Sequence, residues 1–142
     1  MGETGDFGAL SVLAVEDEGF HAAILRRMLG MLRLGEVVLA ENGAEALQLL
    51  EAEPERFDVL ITDLVMPVMD GYKLVKAIRA SNYPRLRELP ILVLSGSHAE
   101  EVEVQRAKLP RINGFIQKPV KMAEIYDGLV KIKSTFGGGQ GC

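Results

Sequence analysis

Short apolar runs alternate with longer amphipathic stretches along this chain, which predicts strands and helices in turn. The runs are Leu10 to Val15, Val37-Val38-Leu39, Val59-Leu60-Ile61, Ile91 to Leu94 and Gly114-Phe115-Ile116-Gln117. Each is too brief for a helix, and the branched, apolar composition suits strands covered on both faces. After the first run, Phe20, Ile24, Met28 and Met31 recur at helical spacing, with Leu25, Leu29 and Leu32 widening the stripe and Arg26 and Arg27 opposite. That pattern predicts a core helix, stopped by Gly35. Asn42-Gly43-Ala44-Glu45 has capping-box spacing and opens a helix through Leu47 and Leu50 that Pro54 ends. Asp70 can cap a helix from Tyr72 to Ala80 bearing Leu74, Val75 and Ile78, after which Ser81-Asn82-Tyr83-Pro84 reads as a polar connection. Ser97-His98-Ala99-Glu100 again has cap spacing, and Glu100, Glu101 and Glu103 favour the positive end of a helix reaching Leu109, although Val102 and Val104 alternate as a strand would. Met122, Ile125, Leu129 and Ile132 share one face of a last helix.

Five strands alternating with five helices call for an α/β fold, a parallel sheet with helices on both faces and right-handed crossovers. The 142 residues, 48% of them apolar, can bury one core. The expected organisation is a flexible lead-in over residues 1–9, one domain over 10–133, and a Gly-rich tail or linker over 134–142. A net charge of −4 with no basic tract opposes nonspecific nucleic-acid binding. Cys142 is the only cysteine, which excludes an intramolecular disulfide and fits a reducing cytoplasm. No apolar run approaches the roughly 20 residues of a spanning helix, and the acidic stretch Met1 to Phe7 is unlike a signal peptide, so neither a membrane nor an exported role is expected.

In an open parallel sheet the C-terminal ends of the strands share one rim, where ligands bind. The rim residues here are Glu16 and Asp17 after the first strand, Asp63 after the third, Ser95 after the fourth and Lys118 after the fifth. Clustered carboxylates repel one another unless a hard divalent cation, Mg²⁺ above all, sits among them. Such a cation, an ammonium and a hydroxyl around an uncommitted carboxylate are what phosphoryl transfer needs, with Asp63 as nucleophile. Taken singly, Glu16 and Asp17 could start a helix, Ser95 and Ser97 could cap one, and Lys118 could be solvated; the joint pattern carries the reading. His21 and His98 fit the exposed first turns of helices, and neither has a second histidine at ligand spacing.

Val15-Glu16-Asp17, Asp63 with Met66-Pro67-Val68-Met69-Asp70-Gly71, Leu94-Ser95-Gly96, and Phe115 with Lys118-Pro119 together resemble the response-regulator receiver family of two-component signalling, across about Leu10 to Ile132. The resemblance implies a flavodoxin-like, doubly wound, three-layer sandwich with strand order 2-1-3-4-5. It implies that Asp63 accepts a phosphoryl group from a phosphohistidine on a sensor histidine kinase or a histidine phosphotransfer protein. Glu16, Asp17, Asp63 and the Val65 backbone carbonyl would surround Mg²⁺, and Lys118 would hold a phosphoryl oxygen. Ser95 would move to another such oxygen and Phe115 would turn inward, altering the face of the fourth helix, fifth strand and fifth helix that binds an output partner or a second copy of the chain. The chain would then be no enzyme, assisting only its own phosphorylation and dephosphorylation.

Several positions depart from the family pattern. Glu16 replaces the more usual aspartate and adds one methylene. Val65 cannot position an attacking water and Ser97 is small and neutral, so the phosphoryl lifetime is expected to follow water access. Arg111 stands where many receivers have glycine, which makes the loop near the output face atypical. Only Lys133 to Cys142 follow Ile132, so a complete chain would act by docking, and a fragment would use its Gly-rich tail to reach an output or kinase domain. The alternative is an interaction module of the same fold that works without phosphorylation. A phosphatase or nucleotide-binding enzyme fits less well, because Glu16-Asp17-Glu18-Gly19 is acidic where a phosphate cradle would be electropositive.

Overall fold

A computed structural model describes residues 7–66, 68–96 and 104–140. Pro67, Ser97, His98 and the acids Glu100, Glu101 and Glu103 lie outside the described residues. The elements are β1 (Ser11–Val15), α1 (Gly19–Gly30), β2 (Glu36–Ala40), α2 (Gly43–Ala52), β3 (Val59–Asp63), α3 (Gly71–Arg79), α4 (Pro84–Arg87) and β4 (Ile91–Ser95). They continue with α5, described over residues 104–107, then β5 (Gly114–Gln117) and α6 (Met122–Gln140). The strands form one parallel sheet in the order β2-β1-β3-β4-β5. Val15 pairs with Thr62, Asp63 with Leu94 and Ser95 with Gln117, so the C-terminal strand ends are nearly level.

Side chains alternate across each strand and divide the core in two. Leu13, Val15, Leu60, Ile91 and Val93 pack with α2, α3 and α4 on one side, where Leu50, Leu74, Ile78 and Leu86 are buried. Val12, Ala14, Ile61, Leu92 and Leu94 pack with α1 and α6 on the other, against Leu25, Leu29, Ile125 and Leu129. Asn42 caps α2 by accepting from the Glu45 N–H at 2.9 Å, while the Glu45 carboxylate accepts from the Glu41 N–H at 2.7 Å, one residue earlier than a standard capping box.

The structure corrects three local expectations. In α1, Leu25 and Leu29, with Leu32 beyond its end, face the core, whereas Phe20 and Met31 are 69% and 60% exposed. Two adjoining stripes had helical spacing there; the leucines are the buried ones, and Met28 packs against them partly buried. Gly35 does not end α1, which stops at Gly30 with Met31 as its C-cap. The polar connection after α3 folds into α4, with Pro84 in its first turn, and sinks Leu86 and Leu89 into the core. The predicted fourth and fifth helices are therefore α5 and α6.

Order also extends beyond the expected domain ends. Phe7, within the stretch read as a lead-in, is buried against the edge of Tyr126 and beneath the Lys133 ammonium. Similarly, α6 continues to Gln140 through part of the expected tail. Extending an existing helix needs no new nucleus, so even glycines can be added to its end.

Away from the rim, Arg79 ties two loops together. Its Nε donates to the Arg111 carbonyl at 2.9 Å, and one guanidinium nitrogen donates to the carbonyls of Arg87 at 2.9 Å and Leu89 at 2.8 Å. Burial, with the nearby Arg111 charge, lowers the Arg79 guanidinium to about 10, which leaves it charged at neutral pH. Arg111 thus has a role in this loop, its own guanidinium bonding the Arg87 carbonyl and Glu88.

Leu86→Ala should lose about 2–5 kcal/mol of stability by opening a core cavity, measured by urea denaturation. The exposed Val104→Ala should change stability by less than ~0.5 kcal/mol. Similar small losses for both would mean that α4 is not part of the core.

Candidate functional site

The chain ahead of α1 sets the first acids. The Glu16 N–H bonds the Ala40 carbonyl at 3.1 Å, extending the β1–β2 ladder by one residue. Glu18 caps α1, accepting from the His21 N–H at 2.9 Å, and its own N–H donates to Glu16 Oε2 at 3.1 Å. Because Glu18 serves as the cap, Glu16 and Asp17 are left facing the rim. His21 sits exposed in the first turn, as its position predicted.

Asp63 ends β3, and its Oδ1 accepts from the Leu64 N–H at 2.8 Å. The following loop folds straight back, the Gly71 N–H donating to the Leu64 carbonyl at 2.8 Å. A Cβ at position 71 would collide with the Asp63 carbonyl oxygen, so this approach requires glycine. Asp70 then caps α3 through the Lys73 N–H at 2.9 Å. On the other side of Asp63, the Lys118 N–H donates to the Ser95 carbonyl at 2.7 Å, which fixes the end of β5 beside that of β4.

The side chains converge as the strand ends predicted. Lys118 Nζ lies 2.7 Å from Asp63 Oδ2 and 3.2 Å from Glu16 Oε1. Carboxylate oxygens of Glu16, Asp17 and Asp63 lie within 4.8 Å of one another. Glu16 and Asp63 are buried and Asp17 is exposed. Burial chiefly, and the Asp63 charge after it, push the Glu16 carboxyl above the usual carboxylate range. Burial pulls the Lys118 ammonium down, but the hydrogen bond and charge of Asp63, together with Glu16, outweigh it and raise the group overall. Three carboxylates against one ammonium leave two negative charges uncompensated among these four side chains. An all-oxygen donor set with that excess can hold a hard divalent cation such as Mg²⁺.

Ser95 is buried beside this group, and its hydroxyl donates to Gln105 Oε1 on α5 at 2.7 Å. Asp63, Ser95, Lys118 and Gln105 line a cavity of about 320 Å³. Val65 also lines it and is 75% exposed. Phe115 is half-buried on β5, its ring 5.2 Å from the Arg106 guanidinium. Sequence reasoning missed Gln105 and Arg106. The available signal was spacing, since Gln105 lies four residues before Leu109, which packs against the core. A second cavity, of about 550 Å³, lies beside α1 and joins Phe20, Ile24 and Met28 to Glu16, Lys118 and Pro119.

A model of the response regulator receiver domain matches residues 12–129, and the chain belongs to that family, the receiver domains of two-component systems. The two-component response regulator ORR5 of Oryza sativa subsp. japonica is 33% identical, over 83% of this chain and 84% of that protein. The chemotaxis protein CheY1 of Helicobacter pylori J99 is 36% identical, over 78% of this chain and 86% of its own length. The receiver domain of the sensor histidine kinase PA1611 from Pseudomonas aeruginosa PAO1, crystallised with a magnesium ion coordinated in its active-site cleft, is 30% identical with a TM-score of 0.71. The match to it covers 86% of this chain and 95% of that one. Among the described residues, no helix is long and apolar enough to cross a membrane.

Folding raises the carboxyl pKa of Glu16, so folding favours its protonated form. The corresponding stability is present below the ordinary glutamate range and is lost as pH rises through the raised value. Glu16→Gln should therefore melt above wild type at neutral pH without divalent cations, and the gain should vanish at acid pH. Added Mg²⁺ should raise the wild-type melting temperature more than that of the variant. Thermal melts across pH check both, and a variant less stable than wild type at neutral pH would contradict this account of Glu16.

Proposed function

We propose that this receiver domain takes a phosphoryl group onto Asp63 from a phosphohistidine of a sensor histidine kinase or histidine phosphotransfer protein. An Asp63 carboxylate oxygen attacks phosphorus while the P–N bond breaks, and its electron pair stays on the imidazole nitrogen. Bound by Glu16, Asp17, Asp63 and the Val65 carbonyl, Mg²⁺ would supply positive charge to the phosphoryl oxygens. Lys118, already on Asp63 Oδ2, keeps its ammonium where a phosphoryl oxygen would come to rest. Ser95 turns its hydroxyl to another oxygen, Phe115 moves inward, and the face made by α5, β5 and α6 changes for an output partner, a fused output or kinase domain, or a second copy. The chain is a signalling phosphoacceptor and catalyses nothing beyond its own phosphorylation and dephosphorylation. A cytoplasmic setting suits such partners.

The single observation carrying this reading is the Lys118 contact that joins Asp63 and Glu16 at the rim of the sheet. A module working without phosphorylation has no use for an ammonium and a hydroxyl beside Asp63 in one cavity, with two more carboxylates next to it. The apolar groove along Phe20, Ile24 and Met28 borders the same lysine, which gives a donor protein a surface beside the acceptor.

Intact-mass measurement after incubation with Mg²⁺ and a small phosphodonor should show one added phosphoryl group on wild type and none on Asp63→Asn. Unmodified wild type, or equal modification of both, would reject the proposal. With Val65 exposed and offering no polar group, hydrolysis should be governed by water access, so Val65→Asn and Ser97→Glu should alter the rate of label loss from purified phosphoprotein. Unchanged rates in both would count against that control of lifetime.

A further inference from the structure

Two consecutive residues of α5 touch the two residues assigned to the switch. Ser95 Oγ donates to Gln105 Oε1 at 2.7 Å, and the Arg106 guanidinium lies 5.2 Å from the centre of the Phe115 ring. Gln105 also hydrogen-bonds the Tyr72 hydroxyl, which anchors its amide to α3. Its side chain lines the cavity that holds Asp63 and Lys118. A serine hydroxyl has one proton to donate. While Gln105 accepts it, an oxygen of a group on Asp63 cannot receive it in full.

We propose that Gln105 is a positioning residue that competes with a phosphoryl group on Asp63 for the Ser95 hydroxyl proton. Transfer of that hydrogen bond removes one link between α5 and β4. Arg106 is carried on the same helical turn, so the change at Ser95 also alters the cover over Phe115. The unphosphorylated state is thus held by a bond that must break before the Ser95 hydroxyl can serve the phosphoryl group. This proposal rests on the phosphoacceptor reading above.

The test uses the full chain with Mg²⁺ and beryllium fluoride, a phosphoryl analogue, and measures affinity by calorimetry. Gln105→Met keeps the side-chain length and removes the competing acceptor, so it should tighten binding about five-fold, the worth of one ordinary hydrogen bond. In a Ser95→Ala background the same change should have no effect. Equal tightening in both backgrounds, or none with Ser95 present, overturns the proposal. A second reading needs no variant: the Gln105 side-chain amide NMR signals of wild type should shift when the analogue binds, and unmoved signals overturn the proposal. If wild type fails to bind the analogue, or Asp63→Asn binds it equally well, the phosphoacceptor reading fails first and this inference goes with it.

Discussion

Glu16, Asp17 and Asp63 stand close enough to repel one another, and the Lys118 ammonium is the positive group that the chain itself places among them. Lys118 follows the last strand, Glu16 follows the first and Asp63 ends the third. The contact therefore spans the sheet and ties together segments up to 102 residues apart in sequence. The lysine offsets one of the three charges, and the remainder keeps the site receptive to a cation. Full compensation within the protein would remove that attraction for a cation.

The sheet makes this crowding affordable. Most of β1, β3 and β4 is buried on both faces, and its packing gains oppose the electrostatic penalty concentrated at one edge. Backbone hydrogen bonds reach past the strands to aim the side chains, as with Glu16 to Ala40 and Lys118 to Ser95. The Gly71 approach to Asp63 does the same from below the loop, since the turn after β3 can close only where no side chain intervenes.

The strands and the rim composition were legible in the sequence because a buried parallel strand needs a continuous branched run, and the residue that ends the run is the residue that reaches the rim, whereas the strand order came from the family resemblance. Asp63, Ser95 and Lys118 could be placed by that rule alone. The face of α1 was not legible to the same degree: Phe20 and Leu25 both belong to helical stripes, and only the neighbouring sheet decides which is covered. Leu86 and Leu89 were hidden by the polar residues and prolines around them, because a one-turn helix is too short to show a period. Gln105 was missed for a related reason. A polar residue that faces inward looks like a surface position until its partner, here Ser95, is known.

Arg79 gives the molecule a fixed end. Its guanidinium pins the carbonyls of Arg87, Leu89 and Arg111, in the loops that feed β4 and β5 at the end of the sheet opposite Ser95 and Lys118. Leu89 and Arg111 lie shortly before β4 and β5, so one side chain holds the entrances of both strands. Neither loop can shift without disturbing the guanidinium that also holds the other, so the two entrances keep a common spacing.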